Sequence, residues 1–329
     1  MSIPAIVNAR SGTAATFRDA LAADPRFVMR EVEPGEVVAA VRAAVAAGAP
    51  RVAVSGGDGS LASAAGVLAE AGVELAVLPG GTLNHFAGHL GIPTEPAAAL
   101  EVAATGVARP VDLGFVAAHS FVNTSSVGSY VAFVRLRDRL ERYLGYWLAS
   151  LVAGLRLLLR LQRYRVEVEV EGSVRQYVTP LVFVGVGERE LQQASLTPLA
   201  ARGRAGLHVI VVRGRRRARL LALGLAAARR GARGVAAMPE VDSFVVDHCR
   251  VAVRHRHTHL SIDGEVLVLP TPLDYRIARG ALRVVLPAEA AAEDPARAPA
   301  GADAPATVAA TDATGAGRTR APAAPPPER

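Results

Sequence analysis

A chain of 329 residues with 51% hydrophobic content is long enough for two domains with their own cores, which excludes a wholly disordered protein. All 37 basic residues are arginine, so the P-loop mechanism, which needs a lysine, is closed to it. The formal charge of +7 favours anionic partners such as nucleotides or acidic lipid headgroups, and Cys249, being the single cysteine, excludes an intramolecular disulfide.

From the start to about residue 113, short apolar runs alternate with alanine-rich helical stretches, a βα rhythm. Ala5 to Val7 reads as a first strand and Pro34 to Ala47 as a helix, with proline near its start and Gly48 just past its end. Val52 to Val54 is a second strand, Leu61 to Ala71 the helix behind it, and Leu75 to Leu78 another strand. These strands are apolar on both faces, as in a parallel sheet covered by helices.

After Asp112 apolar and polar residues alternate, the mark of a half-solvated antiparallel sheet. Strands are expected at Arg165 to Val170, Val178 to Val184, Leu207 to Val212, Ser243 to Val246, Arg250 to Arg256, Leu260 to Ile262 and Leu282 to Leu286. A helical insert, Val131 to Arg163, interrupts them, and the Ala/Pro-rich segment 288–329 reads as a disordered tail. No basic segment followed by an apolar run opens the chain, so no secretory signal is expected. The longest apolar stretch, Leu144 to Leu155, falls short of the roughly 20 residues that span a bilayer.

Three polar turns follow successive strands. Gly56-Gly57-Asp58-Gly59-Ser60 leads straight from a strand into a helix, where amide N–H groups converge on an anion. Glycine permits close approach of phosphate to the main chain. Asp58 would repel phosphate unless a magnesium ion lay between them, which gives the carboxylate a role. Gly80-Gly81-Thr82-Leu83-Asn84-His85 follows the next strand: Thr82 is suited to phosphate and Asn84 to the nucleotide or a metal-bound water. Asn8-Ala9-Arg10-Ser11-Gly12 follows the first strand, and all three should meet at the carboxyl edge of the sheet. A GxGxxG dinucleotide fingerprint and the protein-kinase motifs are absent.

SGGDGS, LPGGTLNHFAGHLGIP and Ser261-Ile262-Asp263-Gly264-Glu265, in that order and spacing, resemble the diacylglycerol kinase catalytic family, which includes sphingosine and ceramide kinases. The resemblance covers roughly residues 3 to 287. It implies a phosphofructokinase-like three-layer α/β nucleotide domain, 1–113, then a β-sandwich-like lipid-substrate domain carrying the helical insert, 114–287. It further implies ATP at Asn8 to Gly12, Gly57 to Ser60 and Thr82, magnesium at Asp58, and Asp263 or Glu265 deprotonating a lipid hydroxyl. The partner so implied is a lipid at the membrane surface rather than nucleic acid, reached from a cytoplasmic, peripheral location. Ala62 and Ser63 stand where many members carry Asn-Glu, His85 where aspartate is frequent, and Gly88 where arginine is frequent. Arg204-Ala205-Gly206-Leu207 lacks the carboxylate that binds a structural magnesium in many bacterial members, so no second metal is expected. A kinase of a soluble acceptor such as NAD, and a catalytically impaired nucleotide- or lipid-binding protein, remain open alternatives.

His255, His257 and His259 share one face of an expected strand and read as basic surface groups rather than a zinc site. The arginines from Arg213 to Arg219 form a cluster that fits a solvated surface or an attraction for acidic lipids. Tyr143, Tyr146, Trp147, Leu148, Leu151 and Leu155 recur at helical spacing, which fits core packing or an interfacial helix.

Overall fold

The computed structural model describes residues 2–159, 162–186, 206–213 and 241–288, with the side chains of residues 146, 147 and 158 outside that description. The expected tail from residue 289 on, Arg204 and Ala205, the arginines 215–219, and the side chains of Tyr146 and Trp147 therefore lie outside the described residues.

Four strands, β1 (Ile3–Asn8), β2 (Phe27–Val32), β3 (Arg51–Gly56) and β4 (Glu74–Pro79), run parallel in the order β2-β1-β3-β4. Alternate side chains enter two different cores. Ile6, Val52 and Val54 pack with helices α2 (Val37–Ala46) and α3 (Asp58–Ala71), whereas Val7, Ala53 and Leu78 pack with α1 (Ala14–Ala22) and α5 (Pro96–Thr105). Burial on both faces is the reason these strands read as uninterrupted apolar runs. The helix expected from Pro34 begins instead as a 3-10 turn, Pro34–Glu36, held by reciprocal bonds between Glu33 and Glu36.

The remaining strands are β5 (Val107–Val116), β6 (His119–Phe121), β7 (Thr124–Gly128), β8 (Tyr164–Val170), β9 (Ser173–Thr179) and β10 (Leu181–Val186). They continue as β11 (Leu207–Val212), β12 (Val241–Val246), β13 (His248–Val253), β14 (His257–Ile262), β15 (Glu265–Pro270) and β16 (Leu273–Leu286). The single strand expected from Val178 to Val184 is broken at Pro180, which has no N–H to give a ladder.

One sheet extends the parallel strands as β2-β1-β3-β4-β16-β13-β8-β9, with β5 pairing β16 and β6 pairing β5; a second runs β12-β11-β10-β7-β14-β15. A third core lies between the two sheets, where Val166, Val251 and Tyr275 of the first meet Val184, Val209 and Leu260 of the second. There the hydroxyls of Ser125 and Tyr275 share a buried 3.0 Å hydrogen bond, the polar tie inside that apolar layer. Residue 113 falls inside β5, which pairs with β16 from Val107↔Leu286 to Val116↔Tyr275.

Helix α6 (Ser129–Leu159) turns sharply at Gly145, whose φ of 69° and ψ of 166° are available to glycine at little cost. Its second limb folds back on the first: a Cβ at Gly154 would touch the Phe133 ring at 4.0 Å, and the Ser129 hydroxyl donates to the Gln162 carbonyl. Ala149 and Ala153 are buried, while Tyr143, Leu148, Leu151, Leu155 and Leu159 are exposed.

Candidate active site

The three polar turns do meet at the carboxyl ends of β1, β3 and β4. The amide of Gly80 donates to the Gly56 carbonyl at 3.0 Å, and Thr13 N–H donates to the Gly80 carbonyl at 3.0 Å. A Cβ at Gly12 would lie 3.7 Å from the Thr82 hydroxyl. The first turn is shorter than its five residues suggest, because Gly56 ends β3 and α3 begins at Asp58, with Gly57 as its N-cap. Asp58 is thus a first-turn helical residue, the favourable end for a negative charge.

Several polar side chains of these turns hold the turns themselves. Asn8 Nδ2 donates to Ser60 Oγ at 2.8 Å, Asn8 Oδ1 accepts from Arg10 N–H, and Ser11 Oγ donates to the Asn8 carbonyl. Asn84, in the left-handed region at φ 49°, accepts from Gly81 N–H at 2.7 Å and donates to the Pro79 carbonyl. The Asp58 carboxylate accepts from the amides of His85 and Phe86 at 3.2 and 3.0 Å, tying α3 to the start of the short helix α4 (His85–His89).

Gly81 shows why glycine stands there. A Cβ on it would sit 2.5 Å from the Gly57 Cα and 3.0 Å from Asn84 Oδ1, so the two glycine loops would have to separate. The Gly81→Ala variant is expected to lose about 1–3 kcal/mol by overpacking, checked by denaturant titration. Nucleotide affinity should fall with it in equilibrium dialysis.

Asp263 and Gly264 form the two-residue turn of the β14–β15 hairpin, both at positive φ, 45° and 90°. The Asp263 carboxylate reaches the strand connection before β7. Its Oδ2 accepts from Val122 N–H at 2.9 Å, and its Oδ1 accepts from Asn123 and Thr124 N–H at 2.9 and 2.7 Å. Burial pushes this carboxyl up to about 7; the three amides pull against the rise and the nearby Asp58 carboxylate adds to it. Glu265 faces the other way. Its carboxylate lies against Gly59, where a Cβ would come within 2.5 Å of Oε1, and desolvation there raises its pKa.

A cavity of about 360 Å³ gathers Gly57, Asp58, Gly81, Thr82, Asn84 and Asp263. A second, of about 270 Å³, holds Glu265 with Gly59, Arg42 and Ser63. Asp263 and Glu265 therefore line separate cavities. Asn8, Ser11, Gly12, Gly56 and Ser60 support the loops behind the first cavity and are not in its lining.

The first cavity is completed by residues that sequence reading did not single out, among them Asn123, Thr124, Tyr130, Arg137, Glu141 and Phe183. Tyr130, Arg137 and Glu141 lie seven and four residues apart on α6, hence on one helical face. The polar run Asn123 to Ser126 after apolar Phe121-Val122 was the available signal for the strand connection. Among the described residues, Arg137 is the one cationic arginine lining this cavity.

The diacylglycerol kinase catalytic domain family model matches residues 3–116. Among curated proteins, the chain is 43% identical over 127 residues to a "Probable lipid kinase YegS-like" of Pseudomonas aeruginosa (strain UCBPP-PA14), covering 37% of this chain and 41% of that protein. It is 33% identical over 186 residues to one from Chromohalobacter salexigens, covering 55% and 60%. A "Diacylglycerol kinase" of Mycobacterium tuberculosis (strain CDC 1551 / Oshkosh) is 36% identical over 121 residues, covering 34% and 39%. The matches thus span less than two thirds of each of these relatives. In fold, the chain is similar to a crystal structure of a diacylglycerol kinase from Bacillus anthracis str. Sterne, with a TM-score of 0.60, 17% identity, and coverage of 88% of this chain and 98% of that one. The glycine loops and the Asp58 helix start lie within residues 3–116, the segment that matches the diacylglycerol kinase catalytic domain family.

Proposed function

We propose that the protein transfers the γ-phosphoryl group of ATP to the hydroxyl of a lipid, diacylglycerol or a relative of it. The observation that carries this reading is the convergence of two glycine loops, Asp58 and Asp263 on one cavity. Amides at the start of α3 and at Gly81-Thr82 suit phosphate oxygens, and Arg137 supplies charge where other kinases use lysine. Magnesium commonly takes only one or two protein carboxylates beside the substrate phosphates, and the donor set here, with Asp58 as its ligand, fits that ion. When bound, it would offset phosphate charge.

Asp263 is the base in this scheme, because it shares the cavity with Asp58 and its raised pKa places it near neutrality, where a general base is most effective. Its hairpin and the three amides fix the carboxylate against the glycine loops, so the acceptor hydroxyl is met in a set orientation. Glu265, packed on Gly59, steadies the first turn of α3 from the neighbouring cavity.

A lipid acceptor is favoured by the second limb of α6. Leu151 is 69% exposed and Leu155 59%, an apolar face suited to peripheral contact with a bilayer. Leu151→Ser with Leu155→Ser should weaken co-sedimentation with liposomes about tenfold or more, since each leucine side chain buried is worth about 1.5–3 kcal/mol. The function itself is tested by incubating the protein with labelled ATP and magnesium against a lipid extract and, separately, NAD. Label entering an organic-extractable product supports the reading. Label on NAD, or no transfer at all, overturns it.

A further inference from the structure

A basic concavity of about 630 Å³ lies on the other side of α6 from the candidate active site. Helix α6 supplies Arg135 and Arg139 to it, and the segment entering β8 supplies Arg163 and Arg165. The connection from β13 to β14 adds Arg254 and His255, and β14 adds His257 and His259. Val127, Val131, Leu136 and Val253 provide apolar walls, and no carboxylate lines it.

Several arginines elsewhere among the described residues are matched by carboxylates. Arg10 pairs with Glu33, Arg26 with Asp24 and Glu101, Arg51 with Glu74, and Arg250 with Glu169. In the cavity, Arg139, Arg165 and Arg254 have no carboxylate partner among the described residues, and Arg135 bonds the ring nitrogen of His259 at 2.8 Å. Five guanidinium groups around one space repel one another, and a multiply charged anion between them removes that cost. The guanidinium fork matches phosphate oxygens two at a time.

The fold makes the concavity rather than leaving it to surface chance. The doubled-back α6 brings its own start beside Gln162, and so sets Arg163 near Arg135 and Arg139. Arg135 and Arg139 occupy the face of α6 away from Arg137 and Glu141, which line the candidate active site, so this helix is a wall common to both spaces. We infer that the cavity bounded by Arg135, Arg139, Arg163, Arg165 and Arg254 is a second anion site that takes a phosphate-bearing ligand. The shared chemistry is a phosphate group, carried either by a soluble compound or by a phospholipid headgroup.

Two probes separate those sources. Inorganic pyrophosphate is titrated calorimetrically into the full chain, and co-sedimentation is measured with phosphatidylcholine vesicles with and without phosphatidylglycerol. Each is repeated on Arg139→Gln/Arg254→Gln and on Arg30→Gln/Arg283→Gln, which removes the same charge outside the cavity. All four side chains are exposed, so folding is not at stake, and circular dichroism melts verify it. The first pair should weaken binding about tenfold or more, as expected for losing charge-assisted bonds, while the second changes it less than about threefold. An effect confined to pyrophosphate identifies a soluble ligand; one confined to phosphatidylglycerol vesicles identifies a headgroup; both support the site. Binding of neither probe, or equal losses in the two pairs of variants, overturns it.

Discussion

Asp263→Ala is expected to cost the fold about 3 kcal/mol or more, because it strips the acceptor from three backbone amides at once and each partly buried donor left unmade costs about 1–3 kcal/mol. The same change should abolish phosphoryl transfer if Asp263 is the base. Asp263→Asn separates the two effects, since its Oδ1 still accepts from Asn123 and Thr124 while its basicity is gone. Denaturant titration should show it closer to the native protein than the alanine variant, with turnover just as low. Retained turnover in Asp263→Asn would remove it as the base.

The raised carboxyl also gives stability a pH signature. Its pKa moves from the ordinary value of 3.8 to about 7 in the folded protein, so the folded state holds a proton that the unfolded chain releases. The resulting stabilisation is full below about pH 4 and is lost as pH rises through about 7. Asp263→Asn has no such group. The stability difference between native protein and variant, measured in a chelator, should therefore be more in favour of the native protein at pH 5 than at pH 8.

Asp58→Ala should lower turnover by about 10³-fold, the scale found when an electrostatic stabiliser of a transition state is removed. It should also destabilise the protein by about 1 kcal/mol, as loss of a helix cap does, because its two oxygens accept from His85 and Phe86 N–H at the start of α4. The bonds to α4 thus give this carboxylate a structural role beside its place in the cavity. Asp58→Asn keeps an acceptor for one of the two amides but not the charge. If activity follows charge, both variants are equally impaired; recovery in the asparagine variant would make the role structural. Steady-state kinetics beside thermal melts decides between them.

The strands Val52 to Val54 and Leu75 to Leu78 were legible because both faces are buried and no polar residue interrupts them. The second glycine loop was legible for a related reason: Gly81 lies too close to Gly57 to carry a side chain, and that requirement is visible as a glycine. β16 was not legible over its length. Only Leu282 to Leu286 showed as a strand: Leu273 to Ile277 does alternate apolar and polar, but Ala278-Arg279-Gly280 interrupts the pattern where the pairing with β5 shifts register between Ala278 and Leu282. Asp263 and Glu265 were visible as a pair of acids, but sequence proximity hid their divergence. Asp263 sits in the turn and Glu265 already in β15, with the positive-φ backbone of Asp263-Gly264 between them, so one joins Asp58 and the other lies against Gly59. Arg137 and Asn123 were missed because their roles arise from the meeting of α6 and the β7 approach with loops more than 30 residues earlier in the chain.

The long strand β16 pairs with β4, β5 and β13, so the strand beside β4 in the sheet is synthesised long after it. Until it arrives, β4 is an open edge with an apolar row beside it, the kind of surface that recruits foreign strands. A ribosome-bound chain that has emitted all of its phosphate-binding turns still lacks the strand that closes their sheet. Such dependence on distant pairing slows folding and leaves the unfinished nucleotide half in need of protection. A nucleotide half cut at residue 113 would face that exposure permanently, since severing the chain within β5 also takes away its partner.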